Sequence, residues 1–338
     1  MTRPVFNRPV LYITLPSDAA RGLQTTHAVF SMVMTDELTL KTPDALLYGF
    51  ATTEVIKNCC PSLGDPDNIK TCDIPYILAS IKIATSGSQL EFNATCPKCK
   101  NFEPYEISLQ QLIPNLKAML WASPIKLPNL EIWLQAPTYK EYSTYSLLDY
   151  QYTKQLYQLT HAPNAEDYTE FITGLFEKKK LLEVEYHASC IKNIRINDFI
   201  TVDNSQHIEE WFNQCDVEIQ TLIANTIRDA NHECRLPEME IVCTACQHNM
   251  KFPLELDFSN LFRNKLLSLT EEEIIQELNY LGESSKRLTN EILKMIWYMR
   301  GSISYTEAMQ LTNFERQCIA KIIEENLEIT KKSGLAFV

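Results

Sequence analysis

A chain of 338 residues with 31 Lys and Arg against 43 Asp and Glu carries a formal net charge of −12, which argues against broad contact with DNA or RNA, since such binding rests on clustered Lys and Arg. The length supports two or three domains, and the best apolar run, residues 74–81, is broken by Lys82 well short of the roughly 18 to 20 residues that cross a bilayer, so a soluble protein is expected. Only eight glycines occur and none forms a phosphate-cradling loop, which removes the common nucleotide-binding enzymes.

In chain order, alternating apolar residues predict strands over 10–15 and 28–34. Thr42 and Pro43 open a helix through 44–56, and Asp73 precedes an apolar helix over 74–84. Alternation over 90–95 and 105–109 flanks Cys96-Pro97-Lys98-Cys99, giving strand, knuckle, strand. Residues 124–127 and 130–134 form a second strand pair about Pro128-Asn129, and Ala136-Pro137 closes the module. A tyrosine-rich helix over 138–160, a break at Ala162-Pro163-Asn164 and a helix over 165–179 form a helical bridge, in which Lys178-Lys179-Lys180 reads as a solvated helix end. Residues 182–188 are expected as a strand, 191–200 are ambiguous, and helices follow from about 205, carrying Ile208, Trp211 and Phe212, and over 216–230. The second hairpin, 237–242 and 252–256, flanks Cys243-Thr244-Ala245-Cys246. The tail is helical: capping boxes at Thr270 to Glu273 and Thr312 to Glu315 open helices, residues 288–299 form an apolar helix ended by Gly301, residues 304–309 a short one, and the last ends near Gly334. Trp297, Tyr298 and Met299 could mark a partner surface, but helical spacing favours core packing.

The fold class expected is thus α+β: β-hairpin knuckle modules with helices, and a helical C-terminal domain. The expected boundaries are 1–137, a bridge over 138–181, a second module over 182–262, and 263–338.

The two Cys-x-x-Cys pairs are the chemistry-bearing motif. Each hairpin tip can turn two sulfurs toward one point, half of the tetrahedral thiolate set that zinc prefers, so Cys96, Cys99, Cys243 and Cys246 could close one structural zinc site between distant stretches of chain. With all four positions filled by protein, such a metal holds shape and does no chemistry. The other reading leaves the pairs as reduced thiols in separate turns. His248, two places after Cys246, and His232 with Cys234 are weaker ligand options. Disulfides are not expected with eleven cysteines and an opening Met1-Thr2-Arg3-Pro4 unlike a signal peptide, which together read as a protein made in a reducing cytosol. Cys59, Cys60, Cys72, Cys190, Cys215, Cys234 and Cys318 read as small buried hydrophobes. The six histidines fall in no catalytic spacing, and Glu271-Glu272-Glu273 is explained by the positive end of a helix.

Leu15-Pro16-Ser17, the helix ending Glu54-Val55-Ile56-Lys57-Asn58-Cys59, the run from Cys72-Asp73-Ile74-Pro75-Tyr76 to Ala84, the hairpin entering Cys96, Ile125-Lys126-Leu127 and Gln135-Ala136-Pro137-Thr138 occur in an order that resembles the baseplate hub protein family of T-even-type contractile-tailed bacteriophages. Ser304-Tyr305-Thr306-Glu307-Ala308-Met309 followed by Glu315-Arg316-Gln317 is similar to that family's helical C-terminus. The likeness covers most of 10–138 and 239–338, and Thr85-Ser86-Gly87-Ser88 follows its pattern only roughly. It implies a non-enzymatic virion protein of the tail baseplate, made in the host cytoplasm and held in a hetero-oligomeric assembly with other baseplate and hub subunits, and with tail-tube or wedge proteins. The alternatives are a transient assembly factor absent from the finished particle, and a zinc-ribbon regulator that touches nucleic acid.

Overall fold

Leu11–Ile13 (β1) and His27–Val29 (β2) pair antiparallel around a one-turn helix, Pro16–Ala20 (α1), in the computed structural model, which describes residues 10–161, 168–197, 200–252 and 254–333. The second strand stops short of the expected 34. The amides of Met34 and Thr35 bond instead to the carbonyls of Leu311 and Met309 at 3.0 and 3.1 Å, and Asp36 accepts the Val33 amide at 2.9 Å, so Met34–Thr39 becomes helix α2. Tertiary partners from the far end of the chain override the local alternation.

The helix expected over 44–56 is divided into Pro43–Leu47 (α3) and Phe50–Cys59 (α4) at Gly49, whose φ is +85° and where a Cβ would lie 2.5 Å from Ser143 Oγ. Only glycine suits that left-handed, crowded position. Ile74–Ser86 (α5) is nearly surrounded by core, with Ile77 and Ala79 wholly buried. Asp73 does not cap it; its carboxylate accepts the Ser17 amide at 2.8 Å and the Ser17 hydroxyl at 2.6 Å, pinning α1.

Gln89–Thr95 (β3) and Phe102–Ser108 (β4) form the first knuckle hairpin, followed by the single turns Leu109–Leu112 (α6) and Met119–Ala122 (α7). Ile125–Leu127 (β5) and Leu130–Leu134 (β6) begin a four-stranded antiparallel sheet. A capping box from Thr138 and Glu141 starts Tyr139–Thr160 (α8), which runs against Thr169–Ser189 (α9). The expected break and helix start at 162–165 lie outside the described residues. The strand expected over 182–188 is instead the last two turns of α9: Ala188 is buried in the core, Val184 and Tyr186 pack on it, and Tyr186 stacks on Tyr145 of α8 at 4.2 Å. Of the lysine run, Lys179 reaches Asp149 at 3.0 Å and Thr153 at 2.7 Å on α8. Ile191–Ile196 (β7) and Ile200–Val202 (β8) complete the sheet in the order β5-β6-β7-β8.

Ser205–Gln214 (α10) and Val217–Glu233 (α11) bury Ile208, Phe212, Ile223 and Ile227 against that sheet. Met239–Val242 (β9) and Asn249–Phe252 (β10) form the second knuckle hairpin, its return strand three residues ahead of the expected 252. Asp257 caps Phe258–Ser268 (α12) and also accepts from Thr52 at 2.8 Å and Tyr139 at 3.1 Å, joining α4, α8 and α12.

Thr270 and Glu273 cap a single helix, Glu271–Tyr298 (α13), which absorbs the one expected over 288–299. Tyr305–Ala308 (α14) and Asn313–Ser333 (α15) follow, each entered through a capping box; the expected end at Gly334 lies outside the described residues. Ile292, Met295, Ala308 and Ile323 form a separate C-terminal core into which Met34 inserts. Trp297 departs from expectation: it is 80% exposed because it lies on the solvent side of α13, while Met299 packs on the core. The fold is α+β, with small antiparallel sheets and a helical C-terminal region.

Candidate metal centre

Both knuckles are built alike. In the first, the Cys96 amide bonds to the Asn101 carbonyl at 2.8 Å and the Lys100 amide to the Cys96 carbonyl at 2.9 Å; in the second, Cys243 bonds to His248 at 3.0 Å and Gln247 to Cys243 at 2.9 Å. The residue after the second cysteine turns left-handed in each, Lys100 at φ +61° and Gln247 at φ +55°. Pairing then resumes at once, Thr95 opposite Phe102 and Val242 opposite Asn249. This closed six-residue turn is why β10 begins at Asn249.

The hairpins face each other across a small shared core of Ala94, Ile241 and Met250 with Phe92, Tyr105, Met239 and Phe252 around it, the Phe92 and Phe252 rings stacked at 4.5 Å. That contact brings the four predicted sulfurs together. Cys96, Cys99, Cys243 and Cys246 all lie within 4.8 Å of one another, with Cys96 to Cys246 and Cys99 to Cys243 each 3.6 Å apart. A disulfide needs about 2.05 Å, so these are not disulfides. Zinc bonded to sulfur at about 2.3 Å sets the edges of its tetrahedron at about 3.8 Å, close to the spacing found here. Cys96 and Cys243 are buried, Cys246 is half-buried and Cys99 exposed. The donor set is all sulfur: among the described residues, the cluster includes neither His248 nor His232.

The thiols differ in acidity. The Cys99 amide lowers the Cys96 thiol to about 7 against the effect of burial, whereas burial pushes Cys246 up to about 12. As thiolates the four would repel one another in so small a volume, and a divalent ion that prefers sulfur would offset that charge. The residues therefore fit zinc.

Sequence reasoning did not reveal Glu103. It accepts the Thr244 amide at 2.9 Å and the hydroxyls of Thr244 and Tyr105, and these donors, the Thr244 hydroxyl foremost, hold its carboxyl at about 2. The one available signal is a carboxylate at an inward position of an alternating strand.

Of the other cysteines, Cys59, Cys60, Cys72, Cys190 and Cys234 are buried as expected, and hydrogen bonding to Cys234 together with burial raises Cys72 far above the ordinary thiol range. Cys215 is half-buried and Cys318 exposed, departing from the expected burial.

No helix is long and apolar enough to cross a membrane among the described residues. A family model described as T4 bacteriophage base plate protein matches residues 29–263, from β2 through both knuckles into α12. No curated protein and no solved structure matches the chain.

Proposed function

The chain belongs to the T4 bacteriophage base plate protein family, and from that premise we propose that it serves in the hub of the baseplate as a rigid scaffold whose two halves are stapled by one structural zinc. Its place is the tail baseplate of the virion and its role there is structural. The finer reading is supported chiefly by the meeting of Cys96, Cys99, Cys243 and Cys246 at zinc-like spacing.

When bound, the zinc would supply four-coordinate closure between chain stretches about 150 residues apart, with no open position for water or substrate. The protein's own residues do the rest. The Phe92 and Phe252 stack fixes the approach of the hairpins, and the β6 to β7 ladder joins the segments 1–137 and 182–262 into one body. The helical pair of 138–181, exposing Tyr157, Phe171 and Phe176, and the tail of 263–338, exposing Trp297 and Phe314, would then meet neighbouring hub, tail-tube or wedge subunits. Fixed geometry lowers the ordering cost of assembly. The net charge of −12 opposes nucleic-acid binding, and a DNA titration should show no steep salt dependence.

Protein purified without chelator should carry close to one zinc per chain, and Cys99→Ser and Cys246→Ser should each lose it; retention in either would mean the knuckles hold no common site. Mass spectrometry of purified virions should find the chain in fixed stoichiometry with the other baseplate subunits. Its absence there would identify a transient assembly factor.

A further inference from the structure

The two knuckles are alike in backbone but not in how they grip each other. Aligned on their cysteines, Glu103 stands where the second hairpin has Met250, and Thr244 where the first has Pro97. Met250 is buried in the shared core, as an inward strand position requires. Glu103 occupies the corresponding inward position with a charge, yet no lysine or arginine is paired with it among the described ion pairs. Its carboxylate is satisfied instead by the Thr244 amide at 2.9 Å and the Thr244 hydroxyl across the interface, and by the Tyr105 hydroxyl from its own strand. The mirror-image bond cannot form, because Pro97 has no amide hydrogen to give and Met250 no oxygen to receive it. Thr244 lies between the two ligand cysteines of its knuckle, so a bond to its amide fixes the turn that aims them.

We propose that Glu103 is a positioning residue that docks the second knuckle on the first before metal enters, so that the protein gathers the four sulfurs and the ion then locks them. The latch deepens the zinc-staple reading above and rests on it only for its metal readout. Outer contacts of this kind orient ligands without touching the ion.

The test uses the full chain, stripped with chelator, and cobalt(II) as the probe. Hydrogen exchange of the amides of residues 241–250 in the metal-free protein reads docking; cobalt(II) affinity, by competition with a chelating dye, reads the site. Glu103→Ala is expected to speed that exchange and to weaken cobalt binding by about tenfold or more, with the thiolate-to-cobalt absorption at saturation unchanged because all four ligands remain. Glu103→Gln keeps an oxygen for the Thr244 amide and should recover part of both losses, and it serves equally if the alanine variant folds poorly. Wild-type exchange and wild-type affinity in Glu103→Ala would overturn the latch and leave the four-cysteine site standing. Faster exchange in Glu103→Ala in a protein that binds no cobalt at all would uphold the latch and sink the metal reading.

Discussion

Asp73 is buried with its carboxylate turned to Ser17, and burial raises its pKa while the Ser17 bonds work against that rise. Between the unfolded value near 3.9 and the raised folded one, the folded protein binds a proton more tightly than the unfolded chain does. Stability from this group is highest below the unfolded value and falls as pH climbs to the folded one. Glu255, also raised by burial, acts in the same direction, and Glu103, lowered, in the opposite one. Asp73→Asn should thus flatten the loss of stability above pH ~4 relative to the parent, without loss at neutral pH, in urea titrations run across pH. A variant that is less stable at neutral pH would mean the charge itself is needed to hold Ser17. Gly49 allows a second test at this scale. Gly49→Ala should cost about 1–2 kcal/mol for the left-handed backbone plus the displacement of Ser143 Oγ, and adding Ser143→Ala should recover only the second part, because that removes the atom at 2.5 Å.

Helix starts show in the sequence at the capping boxes that precede a helical apolar pattern. Thr270 with Glu273 and Thr312 with Glu315 make the reciprocal bonds, and each helix begins where the pair predicts; Thr138 and Glu141 make the same bonds at the start of α8. Those bonds are local, so the sequence carries them whole. The elements misread are the ones decided by distant partners. Residues 182–188 alternate like a strand but have the stack of Tyr186 on Tyr145 to hold them in α9, and 30–34 alternate but give their amides to scattered partners, Phe30 to the Cys59 carbonyl, Met32 to the Thr85 hydroxyl and Met34 to the Leu311 carbonyl. Arg316 shows the same dependence at the junction of α2, α13 and α15. It is 3% exposed, forks onto Glu37 at 2.9 and 2.9 Å, and reaches Glu291 at 3.3 Å. Arg316 is buried while its carboxylate partners reach solvent, so Arg316→Ala loses the contacts that tie the three helices and should release α14 and α15 to fast hydrogen exchange while leaving α4 and α5 protected. Uniform loss of protection would show that the C-terminal core and the remainder unfold as one unit.

At the scale of the molecule, the cysteine spacing marked each pair, but nothing in the sequence required pairs whose sulfurs lie 144 and 150 residues apart to meet. That depends on the aromatic contact between hairpins and on the β6 to β7 ladder, both products of the whole fold. Structural zinc contributes on the order of 10–16 kcal/mol in finger peptides that are unfolded without it, and less is expected where a core already holds the hairpins together. Chelation should accordingly lower the melting temperature and loosen residues 89–108 and 239–252 while α5 and the four-stranded sheet persist. X-ray absorption at the zinc edge of the full chain tests the meeting of the two knuckles most directly. Four sulfur neighbours at about 2.3 Å, with one zinc per chain, are the predicted result; a protein without zinc, or a metal with fewer than four sulfurs, would contradict it.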